Sequence, residues 1–171
     1  MADMRILYSA DLHGNPAFYR KLIALATRKK AGAVIVGGDL LPKTGEYKNL
    51  ISEQRQFILN ELRPSLVSFR RKNPRTDVLL MMGNDDFQVN LHLLEDMEEE
   101  GLLKLLHMRV RHLTEGLFIA GYSCVRPTPF SCKDWERYDD EQRILQPGPY
   151  KPVISTANGL IDINEQEWYA S

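Results

Sequence analysis

Three largely apolar runs, residues 5–10, 33–36 and 78–82, punctuate the first half of the chain, each ending abruptly in polar residues or glycine. Runs of four to six residues rich in Val, Ile and Leu predict strands buried on both faces, as in a parallel sheet covered by helices. Between the first two, Asn15 and Pro16 supply an N-cap and a first helical residue. Phe18, Leu22 and Leu25 then recur at i, i+4 and i+7 and predict the buried face of a helix, with Arg28, Lys29 and Lys30 at its negative end and Gly32 as its stop.

A longer helical pattern covers residues 49–72, after a loop at 43–48, with Leu50, Phe57, Ile58, Leu62, Leu66 and Phe69 inward. Pro64 should kink or split it. Residues 87–100 predict another helix, and 103–110 and 117–120 predict short strands in a second sheet. Residues 122–150 lose all periodicity and carry Pro127, Pro129, Pro147 and Pro149. After the turn signal Asn158-Gly159, residues 160–163 suit the start of a strand or of a helix. Strands alternating with helices predict an α/β fold built from right-handed β-α-β units.

With 171 residues and 43% apolar content, a single domain over residues 1–171 is expected. A net charge of −1 with both signs mixed along the chain predicts no nucleic acid and no anionic membrane as partner. The first residues run into a strand without a signal-type apolar stretch, and no run is long enough to span a bilayer, which predicts a cytoplasmic protein. Cys124 and Cys132 are too few for a disulfide framework and match no common zinc spacing, so both are expected to be ordinary thiols.

The chemistry lies at the ends of the three apolar runs, in Asp11-Leu12-His13, Gly37-Gly38-Asp39 and Gly83-Asn84-Asp85-Asp86. Parallel strands present the residues after their C-terminal ends along one edge, so these signatures can converge. Carboxylate, imidazole and amide oxygen from Asp11, His13, Asp39 and Asn84 form a ligand set for a divalent cation such as Mn, Fe, Zn, Co or Mg.

The same signatures resemble a calcineurin-like metallophosphoesterase, whose pattern runs D-x-H, G-D, G-N-H-[D/E], a further His and G-H-x-H. The run from Gly121 to Glu136 is similar to a bacterial and archaeal subgroup that also carries G-N-D-D as its third motif. The resemblance implies a β-sandwich flanked by helices and a binuclear centre. Asp11, His13 and Asp39 would hold the first metal, and Asp39 would bridge to a second that also takes Asn84. The implied activity is hydrolysis of a phosphomonoester or phosphodiester by metal-activated hydroxide. The free amides at the start of the first helix would assist phosphate binding. Asp85 stands where most of the family has a His that contacts phosphate or protonates the leaving oxygen. It suits a general acid if Asp86 or burial raises its pKa, so Asp85 and Asp86 are the expected catalytic pair.

Nothing after Gly83 supplies the later His or the G-H-x-H element: His92, His107 and His112 follow neither pattern and are expected to be structural. By this comparison the chain corresponds to the first two thirds of the family's domain and is expected to expose sheet edge and apolar surface. A shortened product, completion by a homo-oligomer or a complementing chain, and a scaffold without catalysis are all compatible with that. The alternative function is accordingly a silent phosphoesterase-like domain that binds a protein or a phosphate ligand. In the enzyme reading Arg126 and Lys133 would contact phosphate and Trp135 would offer a stacking face; otherwise their loop packs over the sheet with its charges in solvent.

Overall fold

The computed structural model describes residues 4–44, 46–138 and 149–169. Pro147 and the first three residues of the chain lie outside them. The α/β class is as expected. Strands β1 (Ile6–Ser9), β2 (Ala33–Gly37), β3 (Asp77–Met81) and β4 (Lys104–Leu105) form one parallel sheet in the order β1-β2-β3-β4. Helix α1 (Pro16–Lys29) links β1 to β2. Helices α2 (Leu50–Phe57) and α3 (Arg63–Lys72) link β2 to β3, and α4 (Leu91–Glu99) links β3 to β4.

Because chain order and sheet order coincide, crossovers of one hand put every connecting helix on the same face. The packing shows it. Val34, Val36, Val78, Leu80 and Leu105 share a core with Tyr19, Ile58, Leu62, Phe69, Leu94 and Met97 from the helices. The opposite face, Ala33, Ile35 and Leu79, is covered instead by Leu113 and Ile119 of an antiparallel hairpin, β5 (Arg109–Thr114) and β6 (Leu117–Gly121). Both faces of β2 are therefore buried, but helices cover only one. At the β1 end the hairpin does not reach, and Tyr8 is 66% exposed on that face. The outer face of the hairpin leaves Val110 and Phe118 exposed as well, so the expected apolar surface is present.

Local signals held where physics acts on few residues. Asn15 caps α1 by accepting from the amides of Ala17 and Phe18 at 2.9 and 3.4 Å. All six inward residues of the long helical pattern are buried. Pro64 does interrupt it: a π turn at Ile58–Leu62 precedes α3. Proline offers no amide to the carbonyl four residues earlier and its ring crowds that carbonyl, and a wider turn relieves both.

Other details shift. The buried stripe of α1 is Tyr19, Leu22, Ile23 and Ala26, one position on from the Phe18 phase, and Phe18 is exposed. Lys30, not Gly32, takes the left-handed cap position, at φ 50°. The loop expected at 43–48 ends in a 3-10 turn at Tyr47–Asn49, and the helix expected from Phe87 begins as a 3-10 turn at Gln88–Asn90. The strand expected over 103–110 is two strands, β4 in the parallel sheet and β5 in the hairpin. Beyond the irregular stretch, β7 (Val153–Thr156) and β8 (Gly159–Asp162) form a second hairpin across the Asn158-Gly159 turn, followed by the short helix α5 (Glu165–Trp168).

Residues 131–136 tie that hairpin to the sheet. The Lys133 amide donates to Val153 O and the Val153 amide to Ser131 O, both at 2.8 Å. Asp134 accepts from the Ser155 amide at 2.8 Å, the Ser155 hydroxyl at 2.5 Å and the Gln88 amide at 2.8 Å. Lys133 is only 1% exposed; its ammonium sits 3.0 Å from both Glu136 and Glu165 and donates to Thr128 O at 2.6 Å. A buried ion pair adds little net stability, but breaking it strands a charge. Lys133→Met should thus lower unfolding free energy by about 3–5 kcal/mol in urea denaturation, and adding Glu136→Gln should restore part of the loss.

Candidate metal centre

Asp11, His13 and Asp39 meet at the C-terminal edge of β1 and β2, each offering a ligand atom within 4.8 Å of the others. The loops carrying them run alongside each other as an extension of the parallel ladder. The amides of Asp11, His13 and Gly14 donate to the carbonyls of Gly38, Asp39 and Leu40 at 3.2, 2.8 and 2.9 Å. Asp11, His13 and Asp39 all adopt positive φ, at 55°, 44° and 50°. This left-handed backbone is uncommon for non-glycine residues and is costly unless the surroundings enforce it. Here it turns all three side chains to one spot.

The third loop presses against that spot. The Asp85 amide donates to Asp39 Oδ1 at 3.0 Å, and a side chain at Gly83 would put its Cβ 2.3 Å from the same oxygen and 2.4 Å from the Asp39 amide. Only glycine allows the β2 and β3 loops to approach this closely. Asn84 stands between these two contacts, its amide donating to Asp85 Oδ1 at 3.4 Å. It therefore lies on the loop that touches Asp39, beside the Asp11, His13 and Asp39 cluster.

Asp85 and Asp86, expected as a catalytic pair, have opposite environments. The Asp85 carboxylate faces the centre, 3.8 Å from His13 Nδ1 and 3.2 Å from the Lys43 ammonium. Lys43 offsets part of the negative charge that Asp85 turns toward the cluster. Asp86 is 0% exposed and points the other way. It accepts from the amides of Leu40, Leu41 and Gly83 at 2.9, 2.8 and 2.8 Å, so neither oxygen is available to a substrate. Its catalytic assignment is thus corrected: Asp86 is a clamp between the β2 and β3 loops. Burial pushes its carboxyl up to about 7, against the three amides, which favour the charged form.

Two other buried groups complete the clamp without having been singled out in the sequence for this role. Gln54 of α2 donates to Pro42 O and Asp85 O at 3.0 and 2.8 Å and accepts from the Phe87 amide at 2.8 Å. Trp135, 2% exposed, donates its indole N–H to Asp86 O at 2.8 Å. A glutamine in an amphipathic helix and a tryptophan in an irregular stretch carry no sequence signal for such a contact.

The fit to a cation rests on the donors themselves. Burial raises the Asp39 carboxyl pKa; the neighbouring charges of Asp85 and Asp11 add to this, while the Asp85 amide and His13 oppose it. A bound cation would reverse that cost. His13 Nδ1 is buried without a hydrogen-bond partner, while Nε2 lies 3.8 Å from Asp11 Oδ1. Mixed carboxylate and imidazole donors suit Mn, Fe, Zn or Co, and Mg less closely.

Several expectations about the surroundings change. The first turn of α1 does not present free amides to phosphate, because Asn15 takes those of Ala17 and Phe18 and Pro16 has none. Lys133 and Trp135 are buried in the contacts described for residues 131–136 and for Asp86 rather than turned to a substrate or to solvent, while Arg126 is exposed. Of the later histidines, His92 Nδ1 lies 2.8 Å from Val89 O and His112 packs edge-on to Phe118. His107 accepts from the Ser123 amide at 3.0 Å and packs against Trp135. None joins the Asp11, His13 and Asp39 cluster. Cys124 and Cys132 are free thiols.

No family model matches the sequence, and no curated protein matches it. A crystal structure is similar at a TM-score of 0.47 and 15% identity, over 68% of this chain and 51% of that one. The chain thus spans about half the length of that protein. Among the described residues no helix is long and apolar enough to cross a membrane.

Asp86→Asn keeps one acceptor oxygen but turns an N–H₂ toward a backbone amide, and should cost about 2–3 kcal/mol of stability by urea denaturation. Burial, aided by Arg137, holds the His107 pKa below its usual 6.5. The neutral ring's contribution to stability is therefore present above pH 6.5 and lost as pH falls from there toward the folded-state value. NMR titration should find His107 below 6.5, and His107→Asn, which keeps an acceptor for Ser123, should flatten the decline in melting temperature on acidification.

Proposed function

We propose that this protein is a metal-dependent phosphoesterase of the calcineurin-like metallophosphoesterase type, hydrolysing a phosphomonoester or phosphodiester. The observation that carries the reading is the convergence of Asp11, His13 and Asp39 from two strand ends, each on left-handed backbone, within one ligand sphere. Further support comes from the third loop, whose Gly83 and Asp85 bracket Asn84 against Asp39. The hairpin β5–β6 packs on the sheet face opposite the helices. In this reading it begins the second layer of the family's sandwich.

When bound, a divalent cation supplies Lewis acidity and an acidified water at neutral pH. The residues do the rest. Asp11, His13 and Asp39 would hold the cation, and the Asp85 amide fixes Asp39 by one oxygen, leaving the second to ligate. Lys43 would attract a phosphoryl oxygen, and Asp85, beside Lys43 and His13, would exchange a proton with the ester or with water.

Three protein ligands make one site, whereas Asp39 and Asn84 alone make a weak second one. Elemental analysis after Mn²⁺ loading and desalting should therefore find one tightly held ion per chain, and none in Asp39→Asn. Hydrolysis of 4-nitrophenyl phosphate or its bis ester in excess Mn²⁺ should fall at least about a hundredfold in that variant. Metal binding without hydrolysis of either ester would instead favour a silent phosphate-binding domain.

A further inference from the structure

A cavity of about 390 Å³ opens directly beside the metal centre. One end is polar, formed by Asp85 and Lys43, and the remaining wall is largely apolar, with Tyr47, Leu50, Phe87 and Phe130. The polar end coincides with the edge of the centre, since Asp85 lies 3.8 Å from His13 Nδ1 and 3.2 Å from Lys43 Nζ. Tyr47 and Phe87 meet edge to face, with centroids 6.0 Å apart and planes at 72°, and make a rigid aromatic corner. Phe130 and Tyr47 remain exposed at 53% and 40%, a cost that a ligand ring would remove.

We propose that this cavity seats the organic half of the substrate, and that the substrate is a phosphate ester of an uncharged, ring-bearing apolar alcohol. The proposal rests on the phosphoesterase reading and adds the substrate class. The phosphoryl group would lie toward the Asp11, His13 and Asp39 cluster with Lys43 at one oxygen, and the ring would lie against Tyr47, Phe87 and Phe130. A sugar or polyol fits less well: Tyr47, Ser131 and Tyr150 bring hydroxyls to the wall, but Leu50, Phe87 and Phe130 return no hydrogen bond to a ligand's hydroxyls stripped of water, and the wall is mainly apolar. A second anionic group fits less well too, because among the described residues Lys43 is the one cation in the cavity wall, and it already faces Asp85. Cys132, also in the wall, has its thiol pushed up by burial and stays uncharged, in keeping with an apolar occupant.

Methylphosphonate and benzylphosphonate share a non-hydrolysable head group and differ in the ring, so calorimetric titration of the Mn²⁺-loaded protein separates the two halves of the site. Benzylphosphonate should bind at least about tenfold more tightly. Phe130→Ala, at an exposed rim position that does not threaten folding, should erase most of that advantage and change methylphosphonate affinity less than about threefold. Lys43→Met should weaken both ligands alike. Equal affinity for the two phosphonates, or an unchanged preference in Phe130→Ala, would overturn the pocket assignment and leave the phosphoesterase reading standing. Binding of benzylphosphonate that is indifferent to Mn²⁺ would overturn it as well. If neither phosphonate binds the loaded protein and neither nitrophenyl ester is hydrolysed, the phosphoesterase reading falls and the pocket assignment with it.

Discussion

The buried carboxylate of Asp86 is the interaction on which the candidate metal centre depends. Its two oxygens collect amides from Leu40 and Leu41, which follow Asp39, and from Gly83, which precedes Asn84. Without it the loops after β2 and β3 would have three amides to satisfy inside a dry core, where each unpaired group costs about 1–3 kcal/mol. With it, Asp39 and the Gly83-to-Asp86 loop are held as one body, and the Asp85 amide reaches Asp39 Oδ1. Gln54 and Trp135 brace the same body from the helix side and from the irregular segment. A buried carboxylate adds little net stability, but its three amide bonds fix the positions of the loops that carry Asp39 and Asn84.

The strained backbone arises from the same requirement. Strand ends point along the sheet, whereas a ligand must point across the edge, and a single left-handed residue redirects the chain within one step. Of the five non-glycine residues with positive φ among those described, three are Asp11, His13 and Asp39. Asp and His tolerate this region better than most residues, yet three such positions at one edge still need support from their surroundings. His13 receives it from the hydrogen bond that its amide donates to Asp39 O and from the neighbouring Gly14, whose own positive φ brings it against Pro42. The strain is sustained by backbone bonds between loops, so the geometry survives without contributions from the side chains that must stay available for chemistry.

Much of the frame was legible because it rests on local rules. Apolar runs without alternation marked the parallel strands, the Asn15-Pro16 pair marked the start of α1, and a 3.6-residue period located six of the seven buried positions between Leu50 and Phe69, Gln54 being the seventh. Less legible was anything decided by what lies across the fold. Phe18 satisfies the helical period as well as Tyr19 does, but Tyr19 has a hydroxyl that reaches Leu40 O at 2.8 Å, and this settles which face turns inward. Lys133 reads as a phosphate contact or a solvated charge until the segment folds and Glu136 and Glu165 of α5 become its partners.

The adjacent residues Asp85 and Asp86 show where sequence reasoning about a site stops. They are chemically identical and both sit in a motif that invites catalysis, yet successive side chains in a tight loop leave in different directions. One therefore meets the centre while the other meets the core. What separates them is the supply of donors: three backbone amides wait on the inner side, and His13 and Lys43 on the outer. A carboxylate that is fully buried and holds three backbone amides is closed to a substrate or a metal, whereas one facing a lysine and an imidazole at the edge of the cluster stays within their reach. The assignment of function within such a pair thus comes from counting the hydrogen bonds each oxygen already makes, a quantity that the order of residues does not contain.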